Sequence, residues 1–206
     1  MGRTTTTARS REQRRARIEH TALELFRARG FDHVTVEDVC AAAVVAPATF
    51  YRHFGTKEAV VFAYRDDFEA VLRATIESVT DLPEADRLPA VIAEFAGFLE
   101  SQSELLAQRD EIVVGHPRLM QRTLMVQREL ESVLAAGLAQ LRGSTRPDST
   151  ALLEAGIGML VLRVAVRSWR AGEHDSLLRA TQLALADLRD LVGRPPERRG
   201  LAAGRP

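Results

Sequence analysis

Thr49, Tyr51 and His53 place two hydroxyls and an imidazole within five residues of each other. Phe50 and Phe54 flank them at i, i+4, so on a helix the aromatic pair turns inward and Thr49, Tyr51, Arg52 and His53 occupy the other sides. Hydroxyls and an imidazole in that setting can donate to, or accept from, a polar ligand laid against the helix. The five histidines of the chain form no metal-spaced cluster with Cys or Asp, and no Gly-rich phosphate loop or serine elbow accompanies them. The chemistry here is recognition: no enzyme, catalytic residue, metal or cofactor is expected.

Cations lie close by. Arg11, Arg14 and Arg15 precede the cluster, and Lys57, the only lysine, follows it. The formal net charge is zero, but residues 1–65 hold 11 Lys+Arg against 7 Asp+Glu and residues 66–206 hold 17 against 21. A basic first third on an acidic remainder is the asymmetry expected when only the first third meets a polyanion.

The elements that must carry these residues are helices. The chain is 46% apolar and 5% aromatic, rich in Ala, Leu, Arg and Glu and poor in hairpin signals. An all-α fold follows. Ile18, Ala22, Leu25 and Phe26 mark one face of a helix over Arg11–Arg29 that stops at Gly30. Thr35 with Asp38 three residues on reads as a capping box for a second helix, and Val36, Val39 and Ala43 face inward. The chain turns at Val44-Val45 and restarts at Pro47, suited to a first turn where its missing N–H needs no partner. Two short helices around a tight turn form a helix-turn-helix, whose second helix enters the major groove of double-stranded DNA. A long fourth helix is expected from Lys57 to about Thr80, then helices at 87–101, 103–114, 117–142, 148–171 and 174–192. The domains are thus a disordered basic arm at 1–10, the helix-turn-helix at 11–56, a ligand-binding and dimerisation body at 57–192, and a disordered Gly/Pro/Arg-rich tail at 193–206. Cys40 reads as a buried free thiol. No secretory signal is recognisable, and the apolar run Ile157–Val166 is too short for a span and carries Arg163, so a cytoplasmic protein without a membrane partner is expected.

The segment A-L-E-L-F-x-x-x-G-F at Ala22–Phe31, T-V-E-D-V at Thr35–Val39 and T-F-Y-R-H-F-x-x-K-E at Thr49–Glu58 resembles the TetR family of bacterial transcriptional regulators. The resemblance implies an N-terminal DNA-binding head and a helical remainder that dimerises and holds a ligand. It places Pro47, Ala48, Thr49, Tyr51 and His53 toward DNA. Lys57 and Thr35 would each hold a phosphate, the latter with its helix N-terminus, and Arg11, Arg14 and Arg15 would lie near the backbone or minor groove. Two positions depart from the family pattern: Val44 stands where the turn carries Gly, and Ala46 where a small polar cap is usual.

Leu105-Leu106-x-x-Arg109, His116-Pro117-x-Leu119 and Trp169–Gly172 are similar to the actinobacterial subgroup with an acyl-CoA-like ligand-binding domain, the mycofactocin-system regulators among them. The expected partners are a palindromic DNA operator, a second copy of the chain and a small hydrophobic or acyl-CoA-like effector. A homodimer through the last two helices would use Gly156, Gly158, Leu177, Leu178, Leu185 and Leu188. Candidate pocket residues are Phe95, Phe98, Leu99, Leu124, Met125 and Val161, with Arg109, Arg122, Arg128, Arg163 and Arg167 to meet a carboxylate or phosphate. Arg163 interrupts an apolar run, and a buried charge needs a partner. A repressor is the leading reading; a ligand-responsive activator and a nonspecific DNA-binding helical protein are the alternatives.

Overall fold

The computed structural model describes residues 3–193, with side chains from residue 9 onward. Among the described residues there are ten α-helices, one short 3-10 turn and no strand, so the all-α expectation holds. The helices are α1 (Arg3–Arg29), α2 (Val36–Ala43), α3 (Pro47–His53), α4 (Lys57–Val61), α5 (Arg65–Ser78), α6 (Glu84–Ser101), α7 (Ser103–Val113), α8 (Pro117–Leu141), α9 (Ser149–Arg170) and α10 (Leu177–Gly193).

The first three helices close around Ile18, Leu23, Phe26, Val39 and Phe50, all 2% exposed or less. Burying a Phe in this way is worth about 1.5–3 kcal/mol. α1 ends at Gly30, whose φ of 84° is open to a residue without a Cβ. Its other end differs from expectation: with no Gly or Pro after residue 2, the helix continues back to Arg3, so residues 3–10 extend α1 instead of forming a disordered arm. Apart from Gly193, which closes α10, the expected tail lies outside the described residues.

A second correction concerns the long fourth helix, which is two helices. The ladder breaks at Phe62–Tyr64, where Ala63 and Arg65 donate to carbonyls three residues back. Phe62 and Ala63 are buried there, and the guanidinium of Arg15 in α1 donates to the Ala63 carbonyl at 2.6 Å. Tertiary packing and one long-range donor therefore outweigh helix propensity at this point.

The remaining helices match the sequence expectation within a few residues. α9 is long and apolar enough to span a membrane by composition alone, but it packs on α8, α10 and α6. Its Gly158 admits that approach: a Cβ there would lie 2.9 Å from Ile92 Cδ1 and 3.0 Å from Leu88 Cδ1 of α6. Gly158 and Leu177, expected at a dimer interface, thus face inward, and Leu177 is fully buried in its own core. Gly156 lies beside Glu131 of α8, also facing inward.

Candidate nucleic-acid interface and effector cavity

The capping box at α2 forms as the spacing requires. Thr35 N–H donates to Asp38 Oδ2 at 2.8 Å and Asp38 N–H donates to Thr35 Oγ1 at 3.1 Å. The Thr35 hydroxyl also donates to Asp38 at 2.7 Å, which holds that carboxyl below the usual carboxylate range. Its proton is thus already committed, and the expected hydroxyl contact to a phosphate is not set up.

Between α2 and α3 the turn is held by Val44 N–H to Ala41 O and Val45 N–H to Cys40 O. Val44 adopts φ 53°, ψ 56°, the only left-handed residue other than Gly among the described residues. For a β-branched side chain this costs on the order of 1–2 kcal/mol. Ala46 caps α3 without a side-chain hydrogen bond, and Pro47 follows at the first turn. The turn keeps the helix-turn-helix geometry despite the strain.

On α3, Phe50 plugs the head and Phe54 packs against the same core. Pro47, Ala48, Tyr51 and Arg52 are exposed, and Thr49 and His53 half-buried. Arg11 and Arg14 are exposed on α1 near His53. Burial first, then the fields of Arg11, Arg52, Arg14 and Arg15, hold the His53 pKa below its ordinary value, and its buried Nε2 has no hydrogen-bond partner among the described residues. The result is an imidazole inside a positive cluster at the end of α3, with its Nε2 closed off from solvent in the free protein.

Two expected phosphate contacts have internal roles instead. Lys57 Nζ donates to Phe31 O at 2.7 Å and Val34 O at 2.9 Å and sits 4.3 Å from the Phe31 ring centre. These bonds take two of its three donors and clamp α4 to the 3-10 turn between α1 and α2. Arg15 is bound to the Ala63 carbonyl, with Glu12 and Asp67 nearby. Both residues hold the head in shape, and a lone sequence window cannot show carbonyls that arrive from elsewhere.

The body holds a cavity of about 710 Å³ between α5, α6, α7, α8 and α9. Of the candidate pocket residues, Phe95, Leu99, Leu124, Arg128, Arg163 and Arg167 line it. The other candidates do not. Phe98 meets the Phe68 ring edge to face, 5.1 Å between ring centres, and is not part of the lining. Val161 is core, Met125 is exposed, and Arg122 lies 5.6 Å from the Phe62 ring. Arg163 is exposed at the rim, not buried, because its side of α9 opens to solvent.

Arg109 is buried and paired with Glu19 of α1, with its guanidinium 4.9 Å from the Tyr64 ring centre. Burial pushes the Glu19 carboxyl up and the Arg109 guanidinium down, and each partner partly restores the other. It is thus a link between head and body and not a ligand for an effector.

Sequence reasoning missed Tyr64, Asp110, Thr123, Gln127, Glu131 and Arg170 in the cavity wall. A signal existed for three of them: Thr123, Gln127 and Glu131 recur at i, i+4, i+8 and so share one side of α8. Burial raises the Tyr64 hydroxyl to about 12, so it is a donor at neutral pH. Asp110 pairs with Arg170 and stands between this cavity and a shallower groove of about 800 Å³ beside Trp169. The deeper cavity combines an aromatic and aliphatic floor with an arginine rim; among the described residues Arg128, Arg163 and Arg167 have no carboxylate partner.

Residues 18–64 match the family described as bacterial regulatory proteins, tetR family. The chain is 27% identical over 177 residues to a protein named as the mycofactocin biosynthesis transcriptional regulator MftR of Mycobacterium tuberculosis, covering 85% of this chain and 87% of that one. A second likeness is local: 41% over 71 residues of the HTH-type transcriptional regulator TcmR of Streptomyces glaucescens, or 34% of this chain and 31% of that one. In fold it is similar to Thermus thermophilus FadR, a TetR-family transcriptional repressor solved with lauroyl-CoA, at 23% identity and TM-score 0.58 over 90% of this chain and 99% of that one. These relatives are regulators and not enzymes. The matched segment ends at residue 64, where the helix breaks between α4 and α5. Residues 18–64 are therefore a TetR-family N-terminal domain, and over most of its length the chain is similar to transcriptional regulators.

Proposed function

We propose that the protein is a repressor that binds a palindromic operator as a homodimer in the cytoplasm and leaves it when a small hydrophobic or acyl-CoA-like effector fills the cavity. In this reading α3 enters the major groove with Pro47, Ala48, Thr49, Tyr51 and His53 toward the bases and backbone. Arg11 and Arg14 meet phosphate, and one donor of Lys57 remains for the same purpose. The functional head ends at the α4–α5 break, because α4 packs on α1. The body begins with α5.

One observation carries the proposal: the cavity wall and the head share a side-chain contact. Tyr64 lines the cavity, touches Arg109, and Arg109 is paired with Glu19 in α1. The carbonyl just before Tyr64 is held by Arg15, also of α1. A ligand that displaces Tyr64 must disturb both ties to α1. That gives it a differential affinity for two head positions, without which no ligand can shift an equilibrium.

The cavity chemistry supports an amphiphilic anion. Phe68, Phe95 and Leu162 suit a chain, and Arg128, Arg163 and Arg167 at the rim suit its phosphate or carboxylate. The Thermus protein's lauroyl-CoA supports the same class.

For the dimer, α9 leaves Leu153, Leu160 and Val164 exposed and α10 leaves Leu178, Leu191 and Val192 exposed, while Leu185 and Leu188 are half-buried beside them. Leu178, Leu185 and Val192 recur every seven residues, the spacing of a helical seam. This face, in place of Gly156, Gly158 and Leu177, is the one we assign to the two-fold mate.

The test is fluorescence anisotropy on the DNA flanking the gene, with and without lauroyl-CoA, on protein whose mass in solution is measured in parallel. Selective binding by a dimer, released by lauroyl-CoA, is expected, and DNA must weaken lauroyl-CoA affinity by the same factor. An operator-bound protein that takes up lauroyl-CoA with unchanged affinity and stays bound would overturn the scheme.

A further inference from the structure

The tip of the reading head has an unusual chemistry. From Ala41 to Ala48 the chain reads Ala-Ala-Ala-Val-Val-Ala-Pro-Ala, eight residues without one polar side chain. Ala41, Ala42, Val44, Ala46, Pro47 and Ala48 are exposed. Val44 is 83% exposed, so its strained backbone gains no packing in the free protein. Hydrogen-bonding side chains begin only at Thr49, and the cations Arg11, Arg14 and Arg52 gather at the opposite end, around His53.

The two ends of α3 are thus built for different parts of a duplex. The basic end suits phosphates. The apolar end cannot read a base by hydrogen bonds, because it lacks the Arg, Asn, Gln or Glu side chains that match base edges. What the major groove offers to a methyl-covered surface is the C5-methyl group of thymine, which stands clear of the donor and acceptor atoms.

We propose that Val44, Ala46, Pro47 and Ala48 read thymine methyl groups. The operator specificity under the tip of α3 then comes from van der Waals contact with those methyls and not from base hydrogen bonds. A 5-methylcytosine at the same place supplies the same methyl and is accepted in its stead. The inference rests on the reading that α3 enters the major groove.

The full-length protein is used to select half-sites from a random duplex pool. The best operator is then remade with deoxyuridine for thymidine, one position at a time, and with 5-methylcytosine for cytosine at those positions. Uracil pairs as thymine does and lacks only the methyl. A methyl-sized apolar contact is worth about a fourfold change in affinity. We expect thymines within the selected half-site whose replacement by uracil weakens binding about fourfold each. In a cytosine-substituted operator, 5-methylation recovers most of the loss. In Val44→Ala, a change on an exposed residue, at least one of those uracil effects shrinks. Equal affinity for the thymine and uracil operators would overturn the inference while leaving operator binding intact. Failure to select any sequence would overturn both it and the major-groove reading beneath it.

Discussion

The N-terminal head and the body cavity both display arginines that, among the described residues, lack carboxylate partners, but they hold them differently. In the head, Arg11, Arg14 and Arg52 stand exposed around one short helix and act as a field. In the cavity, Arg128, Arg163 and Arg167 come from two helices and border an apolar volume of about 710 Å³. A field suits a polyanion whose sequence is read by other groups; a rim suits one anionic head whose tail goes inside. Between them lies Arg109, chemically the same side chain, buried at 3% exposure against Glu19 and used for neither purpose. What separates binding from structure in these arginines is therefore access and pairing, not residue type.

The contrast is broken most severely at the joint. Arg109→Met leaves the Glu19 carboxylate, 16% exposed, without its cation. Removing one partner of a buried pair costs about 3–5 kcal/mol, read as a lower midpoint in denaturant unfolding. The double variant Glu19→Leu/Arg109→Met recovers most of that loss, since burial works against both charges. It also keeps operator affinity but loses release by lauroyl-CoA. Release at the wild-type concentration in a stable double variant would show that the joint does not transmit the signal.

At the rim, Arg163→Ala/Arg167→Ala removes charges that hold no internal partner. A charge-assisted hydrogen bond is worth about 1.5–3 kcal/mol, so the lauroyl-CoA concentration for half-release rises at least tenfold while operator affinity stays within twofold. In the head the reverse holds. Tyr51→Phe loses one hydroxyl bond to phosphate, and operator affinity falls at least about tenfold with lauroyl-CoA binding unchanged. Titrating each variant with both ligands tests the separation directly; a Tyr51 variant with altered lauroyl-CoA affinity would erase it.

The two regions also differ in how far they are legible in the chain itself. The head is made of contacts three or four residues apart: Thr35 with Asp38, Phe50 with Phe54, Pro47 at its first turn. Such contacts can be read from spacing. Its long-range ties cannot, and Lys57 and Arg15 therefore differ from expectation, since carbonyls 26 and 48 residues away satisfy them. The cavity is long-range throughout. Helix limits on α6 to α10 follow from Gly and Pro breaks and apolar period, but which side of α9 faces α6 and which faces solvent depends on packing. Gly158 and Leu177 turn inward and Arg163 outward for that reason.

Smaller effects refine the head alone. Val44→Gly relieves a left-handed β-branched residue but adds chain entropy to the unfolded state, for a net gain of about 1 kcal/mol in unfolding free energy. If Val44 touches a methyl in the groove, the same variant binds the operator more weakly although it is more stable. A gain in both would assign the strain no role in recognition.

The smallest expected effect is the pH dependence at His53, and its two readouts have opposite signs. In the free protein burial and the neighbouring arginines hold its pKa below 6.5, the ordinary value. As pH falls through 6.5 and on to the depressed folded value, the unfolded chain binds the proton more readily than the fold does. Stability from this group is thus present above 6.5 and is lost as the pH drops through that window. Near DNA the phosphates favour the charged imidazole, so the pKa rises on binding and a proton is taken up. Operator affinity from this group therefore increases over the same fall in pH in which stability decreases. His53→Gln keeps a hydrogen-bonding side chain but cannot titrate, so it should flatten both slopes together. If only the stability slope flattens, His53 is a residue of the head's own packing, and the basic end of α3 meets the backbone through its arginines alone.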